Sequence, residues 1–411
     1  MTTTTAPART ASFAQAFPLL LASCMSVLGA VLLTPVIPLL MGAFPGNPPE
    51  MVLLILSAPA LMIAIFAPFA GQIADRVGRK NLLVGALIVY AIVGTAPVWL
   101  PAELPLILGS RLLVGVCEAA IMTCCTTLIG DYFSGHKRNK YFGLQSVFTT
   151  ISATIFILVG GILGGMAGWR VPFYVYGVSL IIAVLVIVNI WEPKKTEAAI
   201  AAAAAQAKAP IPWGILALPL VVTLFGGFAF FVVLAEPAVI YAQLGLTDAA
   251  AIGPISAAAS VATAITAFLF ARLARLGAKV LLPSAFGAMA VGYIVVWVAA
   301  GAGSLPGVIA GVLVASAGTG LLLPTLVAWA VGRIPFLSRG RSTGIWTASF
   351  FLGQFVTPLV IGAIQGALSI EVAVAVGVVG IVCAVVGIAL GIGVKPGPIV
   401  AESADDPVAA S

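Results

Sequence analysis

Apolar stretches long enough to cross a lipid bilayer recur along the whole chain, and this feature constrains the fold more than any other. A membrane-spanning helix needs roughly 20 predominantly apolar residues. Hydrophobic residues make up 62% of the 411 residues and charged residues only 8%, whereas soluble domains carry about 25% charged residues. Lipid can solvate an apolar outer surface. The sequence therefore predicts an all-α integral membrane protein with twelve transmembrane helices.

The first apolar stretch raises the question of a cleaved signal. Leu21-Ala22-Ser23-Cys24 is similar to a lipoprotein processing site, but a cleaved signal has an apolar core of only about 7–15 residues. The apolar stretch here continues to Met41, so we interpret it as a retained first helix. We place the twelve spans at residues 13–41, 51–71, 81–100, 106–130, 141–167, 172–191, 212–241, 250–271, 280–301, 306–332, 342–367 and 371–394.

The positions of Lys and Arg predict the orientation in the membrane. With the N-terminus in the cytosol, 17 of the 19 basic residues fall in cytosolic segments. Arg170 lies in an outer loop and Arg111 lies within a span. Because positive charge is retained on the cytoplasmic side, we expect both termini in the cytosol and a multi-pass protein of the inner (cytoplasmic) membrane. The predicted cytosolic loops are residues 72–80, 131–140, 192–211, 272–279 and 333–341.

The two halves of the chain resemble each other. Gly143, Gly161 and Gly165 recur 201 residues later as Gly344, Gly362 and Gly366. This repeat predicts two pseudo-symmetric six-helix bundles, and carriers built in this way bind their substrate between the halves near mid-membrane. The predicted units are the N-terminal bundle 1–191, the cytosolic linker 192–211, the C-terminal bundle 212–394 and the cytosolic tail 395–411.

A ten-residue segment after the second span carries the most specific pattern. It reads Gly71-Gln72-Ile73-Ala74-Asp75-Arg76-Val77-Gly78-Arg79-Lys80. This segment resembles the signature loop of the major facilitator superfamily (MFS), G-x-x-x-D-R-x-G-R-K/R. The resemblance implies the MFS fold and a conformational latch made of Gly71, Asp75, Arg76, Gly78, Arg79 and Lys80. A plain topogenic loop, the alternative, needs the arginines but neither Asp75 nor both glycines.

Two further segments resemble MFS patterns. Arg111-Leu112-Leu113-Val114-Gly115 is similar to the R-x-x-x-G pattern of the fourth helix. The fifth span resembles the G-x-x-x-G-P-x-x-G-G motif associated with proton-coupled antiporters, although Phe156 and Gly161 replace its first glycine and its proline. Its glycines also suit tight helix packing, and they are Gly160, Gly161, Gly164 and Gly165. The resemblance covers the whole chain and is nearest to the twelve-helix drug and metabolite efflux branch.

Ionisable residues at membrane depth are costly and rare, so each is a functional candidate. Glu118 lies at the middle of the fourth span. Arg111 precedes it by seven residues, which places both on one side of the helix about 10 Å apart along its axis. We interpret them as a proton-coupling pair, with a structural contact to a neighbouring helix as the alternative. Glu236, near the outer end of the seventh span, is either a proton-entry or substrate-contact group, or an interfacial residue that reaches water.

Three further residues are candidates for the wall of a substrate cavity. They are the polar or aromatic residues Gln145, Trp346 and Gln354. Packing within the bundles or contact with the membrane interface is the alternative for each of them.

Several classes of function are excluded. No G-x-x-x-x-G-K-S/T segment is present for ATP-driven transport. The single histidine, His136, falls in a predicted loop, and the five cysteines lie within apolar stretches. We therefore expect no metal site, no cofactor and no enzymatic activity. The net charge of +6 is explained by cytosolic anchoring, so nucleic acid is not a predicted partner. A channel stays an alternative, although its selectivity filter usually needs a ring of matching groups, which two unlike halves do not offer. Saturation and counterflow in flux measurements would indicate a carrier.

The sequence thus predicts a secondary active transporter that works by alternating access. We expect proton-coupled efflux, or antiport, of a small organic solute by a monomer. The alternative is a proton symporter or facilitator that imports a small organic metabolite. The expected partners are a small-molecule substrate, protons and the lipid bilayer.

Overall fold

The structure is a computed structural model that describes residues 11–193, 209–332 and 334–394. Twelve helices in these ranges are long and apolar enough to cross a membrane, as the sequence predicts. They are α1 (Phe13–Ala43), α2 (Pro49–Val77), α3 (Arg79–Val98), α4 (Leu104–Tyr132), α5 (Gly135–Ala167), α6 (Val171–Asn189), α7 (Trp213–Gln243), α8 (Ala249–Leu276), α9 (Ala278–Gly301), α10 (Leu305–Val331), α11 (Phe336–Leu368) and α12 (Val372–Gly393).

Consecutive helices alternate in direction, so the even-numbered helices end at the face where α1 begins. We call this the basic face, because Lys and Arg residues cluster there, and we call the other the opposite face. Several helices extend further toward the basic face than predicted. Only Gly78 of the ten-residue signature segment lies outside a helix, and His136 lies in the first turn of α5 and not in a loop. Charged side chains near a helix end can reach water while the backbone hydrogen bonds continue.

Helix α1 is interrupted near its middle. It consists of a proximal segment, Phe13–Val31, and a distal segment that begins with a 3₁₀ turn at Thr34–Val36 and ends as the helix Ile37–Ala43. Pro35 and Pro38 cause the break, because neither can donate a backbone hydrogen bond to the preceding turn. The proximal segment packs against α4, α5 and α6, whereas the distal segment also contacts α7 and α8.

Helices α1–α6 and α7–α12 pack as two six-helix bundles, which confirms the predicted fold class. Two helix pairs make the most extensive contacts between the bundles, α2 with α11 and α5 with α8, in addition to the contacts of the distal segment of α1. The two joints are equivalent under the internal repeat, because α2 corresponds to α8 and α5 corresponds to α11. The pseudo-symmetry inferred from the sequence therefore appears as two matching contacts between the halves.

Repeated glycines lie in these joints. A Cβ atom on Gly161 of α5 would lie 2.8 Å from the Cα atom of Gly253 in α8. A Cβ atom on its repeat mate, Gly362 of α11, would lie 2.7 Å from the side chain of Glu50 in α2. Small residues let membrane helices approach closely, so these glycines set the distance between the bundles.

Parts of the predicted domain organisation lie outside the described residues. The described residues leave out most of the linker 192–211, with Lys194 and Lys208, and the whole tail 395–411. They also leave out Arg9 and Arg333. The proposed domain boundaries and the cytosolic position of the termini therefore stay predictions.

Candidate functional site

Glu118 lies at the middle of α4 and is almost completely buried, with 2% of its surface exposed. Its Oε1 atom accepts a hydrogen bond from the backbone N–H of Gly29 in α1, at 3.1 Å. The hydroxyl group of Tyr90 in α3 lies 3.0 Å from the same oxygen. A Cβ atom at position 29 would lie 2.5 Å from Oε1, so glycine at this position lets α1 approach the carboxyl group. Three helices therefore meet at Glu118.

Arg111 is fully buried in α4, about two turns from Glu118 toward the start of the helix. Its Nη2 atom donates to the backbone carbonyls of Val93, at 3.2 Å, and Gly94, at 3.0 Å. The carbonyl of Val93 lacks a helical donor, because the residue four positions later is a proline. The guanidinium carbon also lies 4.9 Å from the ring centroids of Phe173 and Tyr176. The Nη1 atom has no hydrogen-bond partner among the described residues, so one donor group remains available.

Two tyrosines fill the space between Glu118 and Arg111. Tyr90 contacts Glu118, Tyr176 contacts Arg111, and the two ring centroids are 5.1 Å apart. Sequence analysis missed both residues, although a tyrosine inside an apolar span is a usable signal because its buried hydroxyl group needs a partner. No ion pair joins Glu118 to Arg111 in the described part of the chain. Gly115, which lies between them in sequence, packs against the backbone of α2.

Glu236 is a second buried carboxyl group, in α7, with 1% of its surface exposed. This burial does not fit the alternative of an interfacial residue that reaches water. Its Oε1 atom has no hydrogen-bond partner among the described residues. A cavity of about 10 Å³ adjoins Glu236 between α7, α9, α10 and α12, which is about the volume that one water molecule needs. Glu236 and Glu118 belong to different bundles and to separate clusters of contacts.

Arg79 is the centre of a polar cluster in the signature segment. Its guanidinium group pairs with Asp75 of α2, at 3.1 Å, and with Asp131 near the end of α4. The carboxylate of Glu192 accepts hydrogen bonds from the backbone N–H groups of Arg79 and Lys80, both at 2.8 Å. Glu192 thus caps the start of α3, where N–H groups have no helical acceptor and a negative charge is favoured. Sequence analysis missed Asp131 and Glu192, because the signature pattern does not include them.

The remaining members of the signature segment differ in their surroundings. Gly78 has a φ angle of 94°, which favours glycine. Gly71, by contrast, lies at no close helix contact, since a Cβ atom there would meet nothing within 4 Å. Arg76 is exposed in the last turn of α2. The polar contacts of this segment therefore centre on Arg79.

The glycine motif of α5 lies at a three-helix contact. Its members are Gly160, Gly161, Gly164 and Gly165. Cβ atoms on the first and third would meet α1, at Leu32 and Val36, and those on the second and fourth would meet the start of α8. The stripe therefore joins the break of α1 and the second bundle to the same face of α5.

The three cavity candidates do not converge on Glu118. Gln145 donates from Nε2 to the hydroxyl group of Ser23, at 2.9 Å, and to a threonine of α4, at 3.3 Å. Trp346 and Gln354 are buried in α11, and the ring of Trp346 is stacked on that of Phe350 with centroids 6.0 Å apart. The indole nitrogen of Trp346 has no partner among the described residues. These side chains lie in two bundles and do not form one cluster.

A family model described as the Major Facilitator Superfamily matches residues 19–244, which is more than half of the chain. The chain belongs to the Major Facilitator Superfamily. It is therefore an MFS transporter, embedded in a membrane, and not an enzyme. The family inferred from the signature segment is confirmed.

Curated relatives include efflux proteins. The chain is 32% identical over 210 residues to the quinolone resistance protein NorA of Staphylococcus aureus, which covers 49% of this chain and 53% of NorA. It is 30% identical over 112 residues to the MFS-type efflux transporter pyiT of Pyricularia grisea, which covers 27% of this chain and 18% of pyiT. The chain spans about half the length of the NorA sequences that it matches.

Solved structures resemble the MFS transporter over nearly its whole length. A D-xylose-proton symporter matches with a TM-score of 0.77 at 16% identity, covering 94% of this chain and 98% of the other. A bacterial homologue of the human lysosomal transporter Spinster matches with a TM-score of 0.71 at 16% identity, covering 92% and 95%. At this identity the similarity concerns the fold alone.

Proposed function

We propose that this MFS transporter exports a small organic solute in exchange for protons, with Glu118 as the group that carries the proton. The observation that supports this role is a carboxyl group buried at the middle of a membrane-spanning helix, with no cation paired to it among the described residues. An unpaired carboxylate at membrane depth is costly. Binding and loss of a proton at Glu118 can therefore favour different packings of the helices around it.

Arg111 is the proposed partner of the ionised form. Its Nη1 atom is buried and without a hydrogen-bond partner in the described residues, while its Nη2 atom holds α3. A shift of α4 relative to α3 and α6 would change which groups the guanidinium contacts. Glu236, buried in α7 of the second bundle, is the alternative proton-carrying group.

Export is proposed from similarity to relatives over part of the chain. NorA and pyiT are described as a resistance protein and an efflux transporter, and the aligned regions cover part of each chain. We propose a small organic solute as substrate, and the name of NorA makes a quinolone the first compound to test. The D-xylose-proton symporter shares only the fold, so it does not argue for import.

The proposed setting follows from the basic residues. We propose that the basic face, with both termini, faces the cytosol, and that the protein works as a monomer in the inner membrane. Retention of Lys and Arg on the cytoplasmic side supports this orientation.

Transport in proteoliposomes tests the proposal. The purified protein is reconstituted, a pH gradient of either sign is imposed, and movement of a quinolone and of a panel of uncharged metabolites is followed. Proton antiport predicts that solute accumulates on the side from which protons leave. Accumulation on the other side would indicate symport, and transport that ignores the gradient for every compound would refute proton coupling.

A further inference from the structure

The hydroxyl group of Tyr90 has two partners in space but only one proton to donate. It lies 2.7 Å from the backbone carbonyl oxygen of Met25 in α1 and 3.0 Å from Oε1 of Glu118. The carbonyl of Met25 can only accept. When Tyr90 donates to this carbonyl, its contact with Glu118 is a hydrogen bond only if the carboxyl group supplies the proton.

Gly29 completes the arrangement from the same helix. Its backbone N–H donates to Oε1 of Glu118, at 3.1 Å. In a regular α-helix this N–H donates to the carbonyl four residues earlier, which belongs to Met25. Tyr90 and Glu118 therefore engage the acceptor and the donor of one backbone hydrogen bond of α1.

We propose that Tyr90 is a positioning residue that transmits the protonation state of Glu118 to the backbone of α1. This inference rests on the proposed function, in which Glu118 carries the proton. With the proton on Glu118, the carboxyl group donates to the Tyr90 oxygen and Tyr90 donates to Met25. After the proton leaves, the Tyr90 hydroxyl rotates to donate to the carboxylate, and the Met25 carbonyl loses this partner.

The position in α1 gives the exchange of hydrogen bonds a mechanical consequence. Gly29 lies just before the end of the proximal segment at Val31, and the distal segment contacts α7 and α8 of the second bundle. Helices bend where a side chain inserts into their backbone hydrogen bonds. A change at Met25 and Gly29 therefore alters the bend of α1 and moves its distal segment relative to the second bundle.

Other ionisable groups lie near Glu118, but among the described residues the side chain that hydrogen-bonds to it is Tyr90. Arg111 and Cys117 belong to the same helix, and Tyr176 comes from α6. Arg111 donates to carbonyls of α3. Among the described residues, Glu118 makes its side-chain hydrogen bond with Tyr90 and its backbone hydrogen bond with Gly29.

Distance measurements between α1 and α8 test the proposal in the full chain. Spin labels are placed at Gly46, just after α1, and at Thr247, just before α8, in reconstituted protein with the native cysteines replaced; both positions are exposed. We expect the distance to change with pH in the wild-type protein and to become independent of pH in Tyr90→Phe. Tyr241→Phe is the matched control, because it removes a buried hydroxyl group that has no partner in the described residues.

A second variant tests whether the effect of Tyr90→Phe is specific to the contact between α1 and Glu118. Gly29→Ala places a Cβ atom against Glu118 and should also abolish the pH-dependent change, whereas Gly42→Ala, in the same helix with open space around it, should keep it. A distance that does not respond to pH in the wild type, or a response that survives in Tyr90→Phe, overturns the inference. Failure of gradient-driven transport in wild-type proteoliposomes instead refutes the proposed function, and the two measurements are independent.

Discussion

Arg79 at the start of α3 forms an ion pair with Asp131 near the end of α4, and this contact ties three helices together at the basic face. Arg79 also pairs with Asp75 of α2, at 3.1 Å. The proposed latch therefore has a defined centre. The carboxylates are partly exposed, with 37% and 30% of the Asp75 and Asp131 side chains accessible, so we expect each pair to contribute only up to about 1 kcal/mol.

The first prediction concerns this cluster. Asp131→Asn and Asp75→Asn should each slow turnover by about twofold to fivefold, because this factor corresponds to the free energy of a partly exposed ion pair. Insertion and folding should persist. Initial rates of transport at equal amounts of inserted protein measure the effect. Glu103→Gln is the control, because Glu103 is exposed at the opposite face. Wild-type rates in both aspartate variants would rule out a latch here.

The fold could be predicted from the sequence because its main determinants are local. Span length and apolar composition define the helices, and the 201-residue repeat of Gly161 and Gly362 anticipates two equivalent joints between the bundles. The ends of the helices were less predictable. The backbone remains helical beyond the apolar stretch, as at Val77, where the sequence signals only a change in polarity.

The partners in the candidate site could not be predicted in the same way. Asp131 is 52 residues from Arg79, and Tyr90 is 65 residues from Met25. Such contacts depend on how the helices pack and not on a local pattern. Burial of Glu118 and Arg111 could be anticipated from their place within a span, but their separation by two tyrosines could not.

The second prediction concerns topology. A cysteine at Arg138, in the first turns of α5 at the basic face, should not react with an impermeant thiol reagent in sealed cells. A cysteine at Asn47, between α1 and α2 at the opposite face, should react readily; both positions are exposed. The five native cysteines are buried, and a cysteine-free background removes any residual signal. Rapid labelling at position 138 from outside would invert the proposed orientation.

The third prediction concerns the joint between α5 and α8. Gly161→Ala adds a Cβ atom 2.8 Å from the backbone of α8, and overpacking of this kind costs about 1–3 kcal/mol. The packed arrangement should therefore lose about fivefold or more in population relative to states in which the helices separate. Accessibility of a cysteine at Ala249, which is buried at this contact in α8, measures the separation. Gly143→Ala, with nothing within 4 Å, should behave as wild type, and unchanged accessibility in Gly161→Ala would show that the joint does not open.

The last prediction separates the two buried carboxyl groups. Glu118→Gln removes the ionisable group but keeps an amide oxygen that can accept from both the backbone N–H of Gly29 and the hydroxyl group of Tyr90, so the cluster should stay packed as it is in the structure. We expect gradient-driven transport to fall to the background rate, while substrate exchange without a gradient persists, because a group that cannot lose its proton cannot link proton movement to a change of conformation. Both activities are measured in the same proteoliposomes. Glu236→Gln is the matched variant, since it removes the other buried carboxyl group. Loss of gradient-driven transport in Glu236→Gln alone, with normal transport by Glu118→Gln, would move the proton-carrying role to the second bundle.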